Sequence, residues 1–411
     1  MSLTVSEILE LPGLAELKLR AGENNLHRTV RWYYVAENEG IADWIMGGEL
    51  VFVTGINHPR DEGNLLQLVR EGQQSGIAGL VILTGEPFIH AIPDAVVALA
   101  AQLGMPLIEQ PYLLKMVIVT QVIGTALVRR ETTLRSQRDI LTQLLTGDYP
   151  SLDIASQRAD HLQLTLDRPY RVIALRLSAI KALFDHNAPE AAEARLQSAR
   201  RLVQQRLEEQ QPLLGETLPL VIVGDLFILV LPSDSIQFHQ GKRWLHAVQQ
   251  SLRQKIHPLQ LFSGISSTVT AAQHYRSGLS EARRALDVAE SMRPDKGMCD
   301  YSELGVLKLL TAVADQDLVT NFMQETLGRL FDSHRKKPAL LLETLDAVLQ
   351  ENGNLIKAAE RLAIHRNTLN QRLQRIELQS GQSLSDPQFR LNASVALLIW
   401  RMSHAQQQEF L

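Results

Sequence analysis

A single cysteine, Cys299, stands in the chain of 411 residues. One thiol forms neither an internal disulfide nor a multi-cysteine zinc site. No adjacent His or Asn marks it as a nucleophile, so it reads as a structural thiol of a reducing compartment, the cytoplasm. Positive charge is not in excess either. The formal net charge of -4 excludes an all-over basic nucleic-acid binder and leaves room for one basic module. Long apolar runs are absent. The most apolar stretch, Leu113 to Val128, is broken by Lys115 and Gln121 and is shorter than the roughly 20 residues of a membrane helix. A buried helix is expected there, and no membrane partner. Met1 to Leu14 has no Lys or Arg and carries Glu7 and Glu10, which does not fit a signal peptide. His365 has no other metal-type residue at a useful spacing, so neither a metal nor a cofactor is expected.

What is present is a soluble, globular composition, 45% hydrophobic and 21% charged, over a length that calls for two or three domains. The organisation expected is a multidomain α/β protein with divisions at 1–112, 113–150, 151–303 and 304–411. In the first segment, Thr4-Val5-Ser6-Glu7 is a capping box that opens a short helix ended by Pro12-Gly13. Val30 to Val35 predicts a strand. Two further β-rich runs, from Glu49 and from Gly79, both end in Thr-Gly, at Thr54-Gly55 and Thr84-Gly85. A helical stripe of Leu65, Leu66, Leu68 and Val69 lies between them. Ala95 to Leu103 predicts another helix, and Met105 to Ile108 another strand. Strand and helix alternating in this way predict a parallel α/β unit.

Residues 113–150 are expected to be helical. Leu127, Leu134 and Leu141 recur every seven residues, although Arg130 and Gln137 spoil the complementary positions. A short dimerising coiled coil and a helix packed on its own domain both fit. From Tyr170 to about residue 300, strands alternate with helices, with a hairpin from Leu218 to Leu231 around Gly224-Asp225. That pattern predicts an α+β domain. From Leu304 onward only helices are expected.

The densest signal lies at about 353–377. Asn354 is a good N-cap for a short helix whose inner face is Leu355, Ala358, Ala359 and Leu362. Ala363-Ile364-His365 is a tight connection, with His365 a cap or a phosphate contact. A second helix begins near Arg366, with Leu369, Leu373 and Ile376 facing inward. Two short helices crossing at small alanines describe a helix-turn-helix. The outward residues of the second helix are Arg366, Asn367, Thr368, Asn370, Gln371, Arg372 and Arg375, joined by Lys357 from the first. Arg pairs with guanine, Asn and Gln pair with adenine, and Thr and Arg also hold phosphates. From Gly353 to Ile376 there are five basic residues and one acidic one, in a chain that is acidic overall. Double-stranded DNA is the expected partner, although a solvated Arg/Gln face has the same composition.

At these residues the chain resembles the PucR-type (purine catabolism regulator) transcription factors. The likeness runs through Asn352-Gly353-Asn354, Ala358-Ala359, His365-Arg366-Asn367-Thr368-Leu369, Arg372-Leu373 and Arg375-Ile376-Glu377. Gln371 departs from the family, which usually has an aromatic residue there; that bears on base preference rather than on fold. Leu3-Thr4-Val5, Val30-Arg31-Trp32, Asp43-Trp44 and Gly47-Gly48-Glu49-Leu50 resemble the family's N-terminal domain, which the resemblance implies receives a small-molecule signal. Ser280 to Leu286 and Tyr301 to Gly305 resemble its degenerate GGDEF-like middle domain. The Gly47-Gly48-Glu49-Leu50 run also resembles a diguanylate cyclase loop, but in the wrong domain. The hairpin Val223-Gly224-Asp225-Leu226-Phe227 lacks the paired glycines and acids of a cyclase.

The function expected is a cytoplasmic, sequence-specific transcriptional regulator of catabolic genes, purine or nitrogen genes by resemblance, that answers to a small metabolite and is not an enzyme. A nucleotide-processing enzyme on the middle domain and an architectural DNA-binding protein are the competing readings. Since one helix-turn-helix reads few base pairs, a homodimer or higher homo-oligomer is expected. Ligands in open parallel sheets sit beyond the carboxyl ends of the strands. The candidate effector residues are therefore Thr54, Gly55, Thr84, Gly85 and Glu109, although Thr-Gly turning the chain after a strand explains the first four equally well.

Overall fold

The structure is a computed structural model that describes residues 3–211, 218–233, 235–293, 295–313, 315–331 and 338–408. The chain divides into two compact units, residues 1–137 and 138–411.

The first unit opens with β1 (Leu3–Thr4) and α1 (Val5–Leu9). The capping box is formed: Thr4 Oγ1 accepts from the Glu7 backbone N–H at 3.1 Å, and the Thr4 N–H donates to the Glu7 carboxylate at 2.7 Å. There follow β2 (Lys18–Ala21), β3 (Thr29–Val30), β4 (Trp32–Ala36), β5 (Glu49–Val53), α2 (Glu62–Ser75), β6 (Gly79–Thr84), α3 (Asp94–Leu103), β7 (Leu107–Pro111) and α4 (Met116–Thr146). The main sheet has the order β2-β7-β6-β5-β4. β4 through β7 pair in parallel, while β2 is an antiparallel edge strand on β7. The expected parallel unit is thus present with one strand added. The β-rich run around Trp32 divides in two, since β3 turns aside to pair with β1.

β5 and β6 are buried on both faces, as strands of a covered parallel sheet must be. Alternation assigns their side chains to two cores. Val51, Val53, Leu80 and Ile82 pack with Leu65, Leu68 and Val69 of α2 and Val96 and Ala100 of α3. Leu50, Phe52, Val81 and Leu83 pack on the opposite side with Val5 and Ile8 of α1 and with Val119, Ile123 and Leu127 of α4. Sequential order from β4 to β7 leaves no switch point among the parallel strands. After β7 the chain changes side, from the face of α2 and α3 to that of α1, as it enters α4.

The second unit takes up the last residues of α4. It continues with α5 (Leu152–His161), β8 (Tyr170–Ser178), α6 (Ile180–Asp185), α7 (Pro189–Gln210), β9 (Val221–Val223), β10 (Leu226–Pro232), α8 (Ser235–Arg253), β11 (Gln260–Val269), α9 (Tyr275–Met292) and β12 (Met298–Asp300). The sheet order is β12-β11-β8-β10-β9. The hairpin turns at Gly224, φ 63°. One face of this sheet carries Val172, Ala174, Ile228 and Phe262 against Tyr275, Leu279, Ala282 and Leu286 of α9, together with Ile140, Leu141, Leu144 and Leu145 of α4. The other carries Ile173, Leu175, Phe227 and Leu229 against α7 and α8. Of the three heptad leucines, Leu127 and Leu141 are thus used in internal cores, and Leu134 is half-buried.

The remainder is helical, as expected: α10 (Leu307–Leu310), α11 (Gln316–Phe331), α12 (Pro338–Gln350), α13 (Leu355–Arg361), α14 (Arg366–Ser380) and α15 (Pro387–Gln408). Leu341, Leu345, Ala358, Ala359, Leu369, Leu373, Ile376 and Ala393 form its core. Among the described residues no helix is long and apolar enough to cross a membrane, and no group of three or more His, Cys, Asp or Glu side chains is placed to hold a metal.

Candidate nucleic-acid interface

The turn into the helix pair is made by Asn352 and Gly353, whose φ values of 51° and 79° lie in the left-handed region that Gly and Asn tolerate best. The Asn354 side chain then caps α13, accepting from the N–H groups of Ile356 at 3.1 Å and Lys357 at 3.2 Å. Ala358, fully buried, and Ala359, nearly so, sit in the shared core with α12 and α14, where a larger side chain would hold the helices apart. His365 is the N-cap of α14, its Nδ1 accepting from the Asn367 N–H at 3.2 Å. The cap reading of this histidine is therefore the one the geometry supports. Gly381, φ 68°, ends the helix.

With Leu369, Leu373 and Ile376 turned inward, helical geometry turns the rest of α14 to solvent. Arg366, Asn367, Thr368, Gln371 and Arg375 are exposed, as is Lys357 on α13. Among the described residues the side chains of Arg366, Arg375 and Lys357 have no ion pair or hydrogen bond. They form a set of uncommitted cations, whereas Arg361 pairs with Glu351 at 3.2 Å. Asn370 and Arg372 are only half exposed, and the Arg372 guanidinium turns back to the Thr344 hydroxyl at 3.3 Å. The sequence reading missed Gln374 and Leu378, which share the exposed face. Counting three and seven residues on from Gln371 places both.

Of the five effector candidates, Thr84 and Glu109 are brought together, and Thr54 stands apart from that pair in its contacts. Thr54 follows β5 and lines a cavity, its hydroxyl accepting from the Ile56 N–H at 3.2 Å. Thr84 instead donates to Glu109 Oε1 at 2.7 Å, and Arg20 on β2 holds Glu109 Oε2 at 2.9 Å. Glu109 lies within β7 rather than beyond its end, because the strand runs from Leu107 to Pro111 and not from Met105 to Ile108. Gly55, φ 71°, and Gly85, φ 143°, turn the chain after their strands; at Gly85 a Cβ would stand 2.7 Å from that of Tyr112. Cavity-lining residues that the sequence reading missed are Glu37, Asn57, Tyr112 and Lys115. They come from three loops, after β4, β5 and β7, and only the crossovers of the sheet bring them together.

Three family descriptions match in chain order. The purine catabolism regulatory protein-like family covers residues 7–127, a GGDEF-like domain covers 146–288, and the PucR C-terminal helix-turn-helix domain covers 341–399. The chain carries a PucR family domain and a PucR C-terminal helix-turn-helix domain. Curated relatives from Bacillus subtilis (strain 168) agree. The DNA-binding transcriptional activator AdeR is 27% identical over 183 residues, 42% of this chain and 43% of that protein. The proline-responsive transcriptional activator PutR is 26% identical over 149 residues, 36% of each chain. The purine catabolism regulatory protein is 30% identical over 139 residues, 34% of this chain and 26% of that one. The matches span less than half the length of each relative. In PucR-type terms, α13 and α14 are the two helices of the helix-turn-helix, and the β4–β7 sheet lies in the N-terminal family domain.

Proposed function

We propose that this chain is a sequence-specific regulator of transcription that binds double-stranded DNA through α14 and responds to a small metabolite. The observation that carries the reading is the exposed, uncommitted set of Arg366, Asn367, Thr368, Gln371, Arg375 and Lys357 on a helix-turn-helix capped at both helix starts. Arg366 and Asn367 open α14, the end that meets base edges when such a helix enters the major groove. Arg375 and Lys357 are placed for phosphates. The protein acts in the cytoplasm, as a homodimer or higher homo-oligomer on paired half-sites. Relatives named for purine catabolism and for a proline response support catabolic genes of nitrogen compounds as the target. The middle domain serves as a scaffold rather than an enzyme. Asp225 of the hairpin, Asp287 and Glu290 converge on the Arg176 guanidinium, at 3.9, 2.7 and 2.5 Å. These carboxylates are thus committed to a cation of the protein's own.

The test is gel retardation of the DNA upstream of the protein's own gene and its neighbours, over a salt series. Wild type is expected to shift a specific fragment. Arg366→Ala is expected to weaken the shift by about 1–3 kcal/mol, and Arg375→Ala to lower the salt slope by about one. Retardation unaltered by both substitutions at every salt concentration would remove α14 from the groove.

A further inference from the structure

A cavity of about 620 Å³ opens at the carboxyl ends of β4, β5 and β6, beside the first turn of α4. That volume lies in the range of small-molecule sites. The wall is mostly apolar. Leu83 is buried, and Val35 and Met116 are half-buried. Four polar side chains stand exposed at the mouth: Glu37 after β4, Asn57 after β5, Tyr112 after β7, and Lys115 just ahead of α4. Among the described residues, none of these four has a hydrogen bond or ion pair from its side-chain polar atoms. This sets them apart from the neighbouring Thr84, Glu109 and Arg20, which satisfy one another. Polar groups that fold around an apolar hollow and remain uncommitted are what a ligand site has before it is filled.

The charges at the mouth are one carboxylate and one ammonium. A simple anion would leave Glu37 facing like charge, and a simple cation would do the same to Lys115. A neutral planar ring would use neither. We infer that this cavity takes a small zwitterion with an apolar body, an amino-acid-type metabolite, its carboxylate toward Lys115 and its ammonium toward Glu37. The apolar body lies over Val35, Leu83 and Met116. Asn57 and the Tyr112 hydroxyl supply further hydrogen bonds at the mouth. The inference rests on the metabolite-responsive reading and names the class of metabolite.

Isothermal titration calorimetry on the full chain without DNA tests it, with the standard α-amino acids one at a time as probes. Isovalerate supplies the carboxylate alone, isoamylamine the amine alone, and adenine a neutral purine. At least one amino acid with an apolar side chain is expected to bind about tenfold or more tightly than either singly charged compound. Glu37→Gln and Lys115→Met are each expected to weaken that binding about tenfold; both positions are exposed, and circular dichroism reports that the variants fold. The proposal is overturned if no amino acid binds, if adenine binds more tightly than all of them, or if neither substitution changes the affinity. Retardation of DNA by the ligand-free protein is scored separately. Its loss would remove the regulator reading without touching the pocket, and an empty pocket with normal retardation would do the reverse.

Discussion

The Arg372 guanidinium donates to the Thr344 hydroxyl across 3.3 Å, joining α14 to α12 inside the C-terminal core. Thr344 is fully buried, and its hydroxyl donates in turn to the Leu340 carbonyl at 2.6 Å. This arginine therefore holds the reading helix in place, while Arg366 one turn and a half earlier projects freely. Arg372→Ala is expected to cost about 1 kcal/mol of stability, seen as a lower thermal midpoint. Arg366→Ala should leave the midpoint in place and weaken DNA retardation. Identical midpoints for the two variants would contradict this division of roles.

The cap of α13 is expected to matter more than its seven residues suggest. Two N–H groups depend on Asn354 Oδ1, and so short a helix has little stability of its own. Asn354→Ala is expected to destabilise by about 1 kcal/mol, and Asn354→Asp to keep most of the wild-type stability. Urea titration followed by circular dichroism distinguishes the two.

Gly264 marks the closest approach of β11 to α9. A Cβ there would lie 2.1 Å from the Ala282 carbonyl oxygen and 2.2 Å from the Leu286 nitrogen. Both are backbone atoms of a helix and cannot swing aside. Gly264→Ala is expected to destabilise by about 3 kcal/mol, at the upper end of overpacking effects. A thermal midpoint within 1–2 °C of wild type, on the usual scale of such shifts, would show that the two elements do not meet so closely.

Acid should act on the middle domain through Asp300. This carboxylate is 4% exposed and accepts from Lys242 at 2.6 Å, Arg171 at 3.1 Å and the Ser302 hydroxyl at 2.7 Å. Burial alone would raise its pKa, but the hydrogen bonds from Lys242 and Ser302 outweigh it and hold the group below the ordinary range. A depressed folded value means that the stabilisation is complete above about pH 5 and is lost as pH falls below about 4. Asp300→Asn is expected to cost about 3 kcal/mol at neutral pH, since it removes the buried negative charge that Lys242 and Arg171 share. The gap from wild type should narrow toward pH 3. A gap that stays constant with pH would exclude the ionised pair as its source.

The central parallel strands were legible because β5 and β6 are apolar runs bounded by turns, and α14 because Leu369, Leu373 and Ile376 keep helical phase. β2 was not. Lys18-Leu19-Arg20-Ala21 has no β-branched residue, and an edge strand needs none, since one side of it faces solvent. The start of β7 was placed two residues early because Met105 looks like part of the apolar run. Ending the strand at Ile108 rather than at Pro111 puts Glu109 at a strand end, open to a ligand, instead of mid-strand beside Arg20. The pocket residues Glu37, Asn57, Tyr112 and Lys115 are scattered over 79 positions of the sequence, and no local pattern joins them. Gln374 and Leu378 were within reach of the same helical count that placed Gln371.

Both helices of the reading head begin on caps supplied by their own sequence, Asn354 and His365, and both close on one core with α12. Such a head has its shape before it meets DNA. On the proposed oligomeric reading, a preformed head leaves control to the number of heads that reach the operator together and to their spacing. On the proposed metabolite-responsive reading, the effect is expected in cooperativity and half-site spacing, with the intrinsic affinity of a single head unchanged.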